Sequence, residues 1–66
     1  MTPAEIANQV VQHPQRIHVF TVPNPKSCYN MVRDKLIHLD YWWTVPVCMA
    51  TDVERGELIV CDRGQG

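Results

Sequence analysis

The sequence predicts a small α/β (α+β) domain: a three-stranded mixed sheet with two helices, in the order α-β-α-β-β. Three observations carry that expectation. Two segments with apolar residues at helical spacing each open on a capping signal. Three runs rich in β-branched and aromatic residues follow or separate them. A polar stretch ending in glycine joins the last two runs into a hairpin.

The first helix is expected near residues 3–12. Thr2 is its N-cap, Pro3 occupies the first helical position, and Glu5 completes a capping box. Ile6, Ala7, Val10 and Val11 form its apolar stripe, and His13-Pro14 ends it, because proline disfavours the α region for the residue before it. Arg16 to Val22 reads as a strand. Ile17, Val19 and Thr21 fall on one side and His18, Phe20 and Val22 on the other, so both faces carry apolar groups, which predicts an inner strand.

Asn24 caps the second helix, with Pro25 in its first turn, and the helix runs to about Leu39. Cys28, Tyr29, Val32, Leu36 and Leu39 share one side of its wheel. Ile37 sits on the polar side as a candidate exposed apolar residue. Tyr41 to Ala50 and Glu57 to Asp62 read as the two strands of a hairpin with Val53 to Gly56 as its loop. Thr51 is then expected near Leu58, Met49 near Val60, and Cys48 opposite Cys61. The first strand, second helix and next strand predict a right-handed parallel crossover. The expected core gathers Val19, Val32, Leu36, Met49 and Val60. The whole chain is expected to form a single domain, with 63–66 as a flexible tail.

Composition narrows the function classes. The 66 residues are 45% hydrophobic and 20% charged, with a formal net charge of −1. A chain of that length buries only about 60% of the surface its unfolded form exposes, which leaves little volume for a catalytic cleft plus a cofactor. Lys and Arg stand singly, with no basic stripe to neutralise phosphates, so no nucleic-acid partner is expected. Apolar runs are far shorter than the roughly 20 residues that span a bilayer, so no membrane association is expected either. The N-terminus has neither a basic region nor an apolar stretch of signal-peptide type, which predicts a cytoplasmic location with its cysteines reduced.

The chemistry-bearing side chains form no familiar constellation. The candidate metal ligands His13, His18, His38, Cys28, Cys48 and Cys61 include no closely spaced chelating pair, so no metal or other cofactor is expected. Cys48 and Cys61 meet across the predicted hairpin as a possible thiol site, or simply fill space in a sheet. Cys28 lies near a helix N-terminus, where the dipole lowers a thiol pKa, yet it belongs to the apolar stripe, where burial raises it. No pair of carboxylates is placed for acid–base work, and no glycine-rich loop precedes Asn24-Pro25.

The run Ile17-His18-Val19-Phe20-Thr21-Val22-Pro23-Asn24-Pro25-Lys26-Ser27-Cys28 after a leading helix resembles the front of a glutaredoxin or thioredoxin-like domain. Thr44-Val45-Pro46 resembles that family's Thr-Val-Pro turn, which carries a cis-proline and precedes a hairpin. The resemblance touches about two-thirds of the chain. It implies a truncated relative, with Cys28 matching the second cysteine of the family's C-x-x-C motif. Pro25 stands where the nucleophilic first cysteine belongs, and the strand and helix that separate the two halves have no room, so dithiol exchange is unsupported.

Tyr41-Trp42-Trp43 is the most unusual local feature. On a strand the two tryptophans point to opposite faces, so one covers the thin core and the other is left for a partner. The functional expectation is therefore a small non-enzymatic interaction module, of the kind phages and mobile elements encode as inhibitors, adaptors or virion accessory proteins. It would bind a protein partner or form a homodimer through Tyr41, Trp42, Trp43 and Ile37 together with a sheet edge. The alternative is a degenerate thioredoxin/glutaredoxin-like thiol protein acting at Cys28, with Cys48 and Cys61 as possible partners.

Overall fold

The computed structural model describes residues 2–45 and 47–62. Its elements are α1 (Pro3–Gln12), β1 (Ile17–Thr21), α2 (Pro25–His38), α3 (Tyr41–Thr44), β2 (Val47–Asp52) and β3 (Glu57–Asp62). The α+β class and the order of the predicted elements stand, with one additional helical turn. Pro46 and the expected tail at 63–66 lie outside the described residues.

Both long helices begin as their local chemistry dictates. The Glu5 backbone N–H donates to Thr2 Oγ1 at 3.3 Å, and Thr2 donates back to the Glu5 carboxylate from its backbone N–H at 3.3 Å and its hydroxyl at 3.1 Å. This closed capping box satisfies N–H groups that the first turn otherwise leaves unpaired. At α2 the Ser27 N–H donates to Asn24 Oδ1 at 3.3 Å, and Pro25 takes the first helical position, where its missing N–H costs nothing.

The hairpin also forms in the predicted register, with Thr51 opposite Leu58, Met49 opposite Val60 and Cys48 opposite Cys61. Its loop is built by three local devices. Asp52 Oδ1 accepts from the Arg55 N–H at 3.2 Å, Arg55 and Asp52 form an exposed ion pair at 3.8 Å, and Gly56 takes φ +67°. The Val22 N–H donates to the Gly56 carbonyl at 2.9 Å, which ties the end of β1 to this turn.

Strand order departs from expectation. The sheet runs β1-β3-β2, and β3 is antiparallel to both neighbours. The sheet is thus antiparallel throughout rather than mixed, and among the described residues there is no adjacent parallel crossover pair. β1 and β2 run in the same direction but are separated by β3. The last strand takes the centre because it carries Leu58 and Val60, both fully buried, and a strand paired on both sides is the best place for them.

β1 is consequently an edge strand, not an inner one. Phe20 is buried, but Val19 is 55% exposed and lies outside the expected core. That core otherwise forms: Val32, Leu36 and Val60 are buried with Ile6, Val10 and Leu58, and Met49 packs against them. α2 lies on β2 and β3, and α1 packs on α2 and reaches β3, so both helices cover one side of the sheet. Leu39, placed on the apolar stripe by the wheel, is 53% exposed because α2 ends at His38 and the wheel phase ends with it. Ile37 is half-buried instead of exposed.

The largest local difference is at Tyr41 to Ala50, expected as one strand. Asp40 adopts the left-handed conformation at φ +60°, which short polar side chains tolerate, and this ends α2. The chain then makes one helical turn. The Thr44 hydroxyl donates to the Asp40 carbonyl at 2.9 Å, and the Val45 N–H donates to the Tyr41 carbonyl at 3.0 Å. These local bonds outweigh the strand propensity of the aromatic run, and β2 starts only at Val47.

Two outcomes test this packing. Leu36→Ala should lower stability by about 2–5 kcal/mol in chemical denaturation, whereas Val19→Ala should change it by less than about 0.5 kcal/mol. The Thr2 backbone and hydroxyl bonds hold the Glu5 carboxyl below the ordinary glutamate value. Its contribution to stability is therefore complete above the unfolded-state value and is lost as pH falls through the lower folded one. An NMR titration should show the depressed Glu5 value in the wild type and its return toward normal in Thr2→Val.

Candidate interaction surface

Residues directly opposite one another in an antiparallel sheet share a face, and alternate residues along each strand switch face. The register therefore sorts the sheet into two sides. His18, Phe20, Leu58, Val60, Met49 and Thr51 lie on the side the helices cover. His18 stacks on Phe20 with ring centroids 5.9 Å apart, and its Nε2–H donates to the His13 carbonyl at 3.1 Å.

The opposite side is open. Its first row across the strands is Ile17, Cys61 and Cys48; its second is Val19, Ile59 and Ala50; its third is Thr21, Glu57 and Asp52. Ile17 is 71% exposed, Val19 and Ala50 are exposed, and Ile59, Cys48 and Cys61 are half-buried by their neighbours. Two apolar rows thus run into one polar, acidic row. α1 and α2 both pack on the other side of the sheet.

The residues singled out in the sequence are split by the fold. On a helical turn, neighbours point about 100° apart. Tyr41 and Trp42 are half-buried and pack against the core, while Trp43 is 72% exposed. The division into one inward and one outward tryptophan therefore holds, although a helical turn produces it and not a strand. α3 packs against α2 and leads into β2, whose start lies at the Ile17 end of the sheet. Ile37 lies farther back on α2.

The cysteines separate in the same way. All three are thiols. Cys28 is buried in the first turns of α2, its N–H already donates to the Asn24 carbonyl at 3.0 Å, and burial pushes its thiol pKa up. Burial is the larger influence on it and works against thiolate formation. Cys48 and Cys61 are register partners on the open side, where directly opposed Cα atoms stand at about 4.5–5.5 Å, within reach of a disulfide. Among the described residues no three His, Cys, Asp or Glu side chains gather as a metal site.

A shallow depression of about 480 Å³ lies between the start of α1 and the exposed side of α2, lined by Thr2, Pro3, Ala4, Met31, Asp34, Lys35 and His38. Thr2 is already engaged in the capping box. Among the described residues no helix is long and apolar enough to cross a membrane. Comparison with protein-family models, with curated proteins and with solved structures finds no match.

Sequence reasoning missed Ile17, Val19 and Ile59 as surface residues. The signal is present in the two-faced apolar pattern of 16–22, because the described helices suffice to cover only one of its faces. Treatment with oxidised glutathione should join Cys48 to Cys61 within one chain, closing a loop of about 14 residues and adding roughly 3 kcal/mol of stability. Mass spectrometry should show that bridge and an unmodified Cys28. A Cys28 that reacts first would show that the helix dipole outweighs burial after all.

Proposed function

We propose that this chain is a small non-enzymatic protein-interaction module whose open sheet face, together with the exposed Trp43, receives a protein partner. The observation that carries the reading is the pair of uncovered apolar rows built from Ile17, Val19, Ala50, Ile59, Cys48 and Cys61. Exposed apolar patches bordered by polar residues are the usual mark of an interface. An action through binding, as inhibitor or adaptor, fits a chain whose core is fully occupied by its own packing.

This reading moves the centre of the site from a sheet edge to a sheet face. Tyr41 and Trp42 hold α3 in place, and Trp43 supplies an aromatic anchor of the kind that dominates binding energy. The thiol-protein alternative draws less support, because Cys28 is buried with its thiol held protonated.

Immobilised wild-type protein and a folded Val19→Lys variant, exposed to the same native-host lysate, test the reading. A protein retained by the wild type and lost on Val19→Lys is the expected result. Identical retention on both would sink it. Trp42→Ala should destabilise the fold, whereas Trp43→Ala should leave the melting temperature nearly unchanged and weaken retention.

A further inference from the structure

We propose that Cys48 and Cys61 are a reversible redox switch in the open face, closed by a small disulfide of the glutathione class and reopened by small thiols. For its consequence on binding, the inference rests on the reading of that face as a partner surface.

The backbone fixes the geometry of the pair. The Val22 N–H donates to the Gly56 carbonyl at 2.9 Å, which extends the β1–β3 register one step beyond Thr21 and Glu57. Antiparallel pairs alternate between those that exchange hydrogen bonds and those that do not. Counted from Gly56, Leu58 and Val60 direct their N–H and C=O groups to β1, so Glu57, Ile59 and Cys61 direct theirs to β2. Cys48 and Cys61 are therefore a hydrogen-bonded pair, with Cα atoms about 5.5 Å apart. Their Cβ atoms stand at the wide end of the roughly 4.5–5.5 Å range for opposed residues. A disulfide spans only about 3.5–4.5 Å between Cβ atoms. Ile17 and Cys61, on the same row, form the closer non-hydrogen-bonded kind of pair.

Closing the bond requires a shift, and the fold decides which strand gives. β3 is paired on both sides and pinned by the buried Leu58 and Val60. β2 is paired only to β3 among the described residues, and Cys48 is its second residue, five positions after the exposed Trp43. The head of β2 is therefore drawn toward β3. That displacement acts on Ala50 in the neighbouring row and on α3, which carries Trp43, two parts of the partner surface. A bond closed against such distortion is reduced more readily than a relaxed one. The loop-closure gain is accordingly the upper limit of what the bridge adds to stability. In the closing step the two protein thiols pass two electrons and two protons to the oxidant. The Sγ–Sγ bond forms, the S–S bond of the oxidant breaks, and two small thiols leave. Cys28, buried in the core, takes no part.

Equilibration in buffers of graded reduced and oxidised glutathione, read by mass spectrometry, tests the switch. The control is the double variant Ile17→Cys with Cys48→Ala, which offers Cys61 the neighbouring non-hydrogen-bonded position on the exposed Ile17 side. Both bridges close within a folded chain, so loop length does not enter the comparison. The wild-type bridge should form and reopen with an equilibrium constant at least about tenfold below that of the control. Oxidation should move the amide NMR signals of Val47 and Ala50 and the indole signal of Trp43, and leave those of Val19, Phe20 and Thr21 in place. Immobilised reduced protein should retain more of its partner from native-host lysate than the oxidised form does.

The proposal is overturned by a wild-type bridge as hard to reduce as the control, by glutathione left on a single cysteine as the end product, or by NMR changes confined to Cys48 and Cys61. If reduced and oxidised protein retain the same partner equally while Val19→Lys releases it, the switch is refuted and the binding reading stands. If Val19→Lys retains whatever the wild type retains, the binding reading falls, and with it the control of binding by this pair.

Discussion

The fold depends on β3 being paired on both sides while one of its faces is sealed by helices. Leu58 and Val60 are fully buried between the flanking strands and beneath α1 and α2. Fully burying an aliphatic side chain contributes roughly 1.5–3 kcal/mol, a large fraction of what so small a domain has to spare. The capped helices, the Gly56 turn and the Val22–Gly56 hydrogen bond all serve to hold that strand in place. The same arrangement exhausts the helices on one side of the sheet. The other side is open as a direct consequence of how the core is sealed.

What could be read from the sequence follows the range of the interactions involved. Thr2, Pro3, Glu5, Asn24 and Pro25 act within one helical turn, so both helix starts were legible. The Cys48–Cys61 pairing was legible too, because a short loop fixes the register of the strands it joins. Strand order was not, since nothing local tells β1 whether its neighbour is β2 or β3. That choice is made by where Leu58 and Val60 must go. Tyr41 to Thr44 failed for the opposite reason. Its aromatic composition pointed to a strand, and two short-range features, the left-handed Asp40 and the Thr44 hydroxyl bond, overrode it.

The candidate site shows the same division. The run Tyr41-Trp42-Trp43 stood out from composition alone, because large aromatics with little room in a small core are conspicuous wherever the backbone puts them, but which tryptophan faces outward depended on the helical turn. Ile17 and Val19 were not, because exposure of a strand face depends on how many helices remain to cover it. A two-faced apolar strand beside two long helices among the described residues carries that information only when the helices are counted against the faces.

Among the described residues β1 and β2 are the two edges of the sheet, and the chain contains devices that discourage further strands from adding there. β1 has five residues, with Pro14 before it and Pro23 soon after it, and β2 follows Pro46 and ends at Asp52. Short strands bounded by proline and charge are poor templates for edge pairing. β3, the most apolar of the three, begins at Glu57, ends at Asp62 and has no free edge. Charges placed at both ends of an apolar strand limit its tendency to aggregate. With edge addition discouraged and the central strand protected, the apolar surface left for association is the open face.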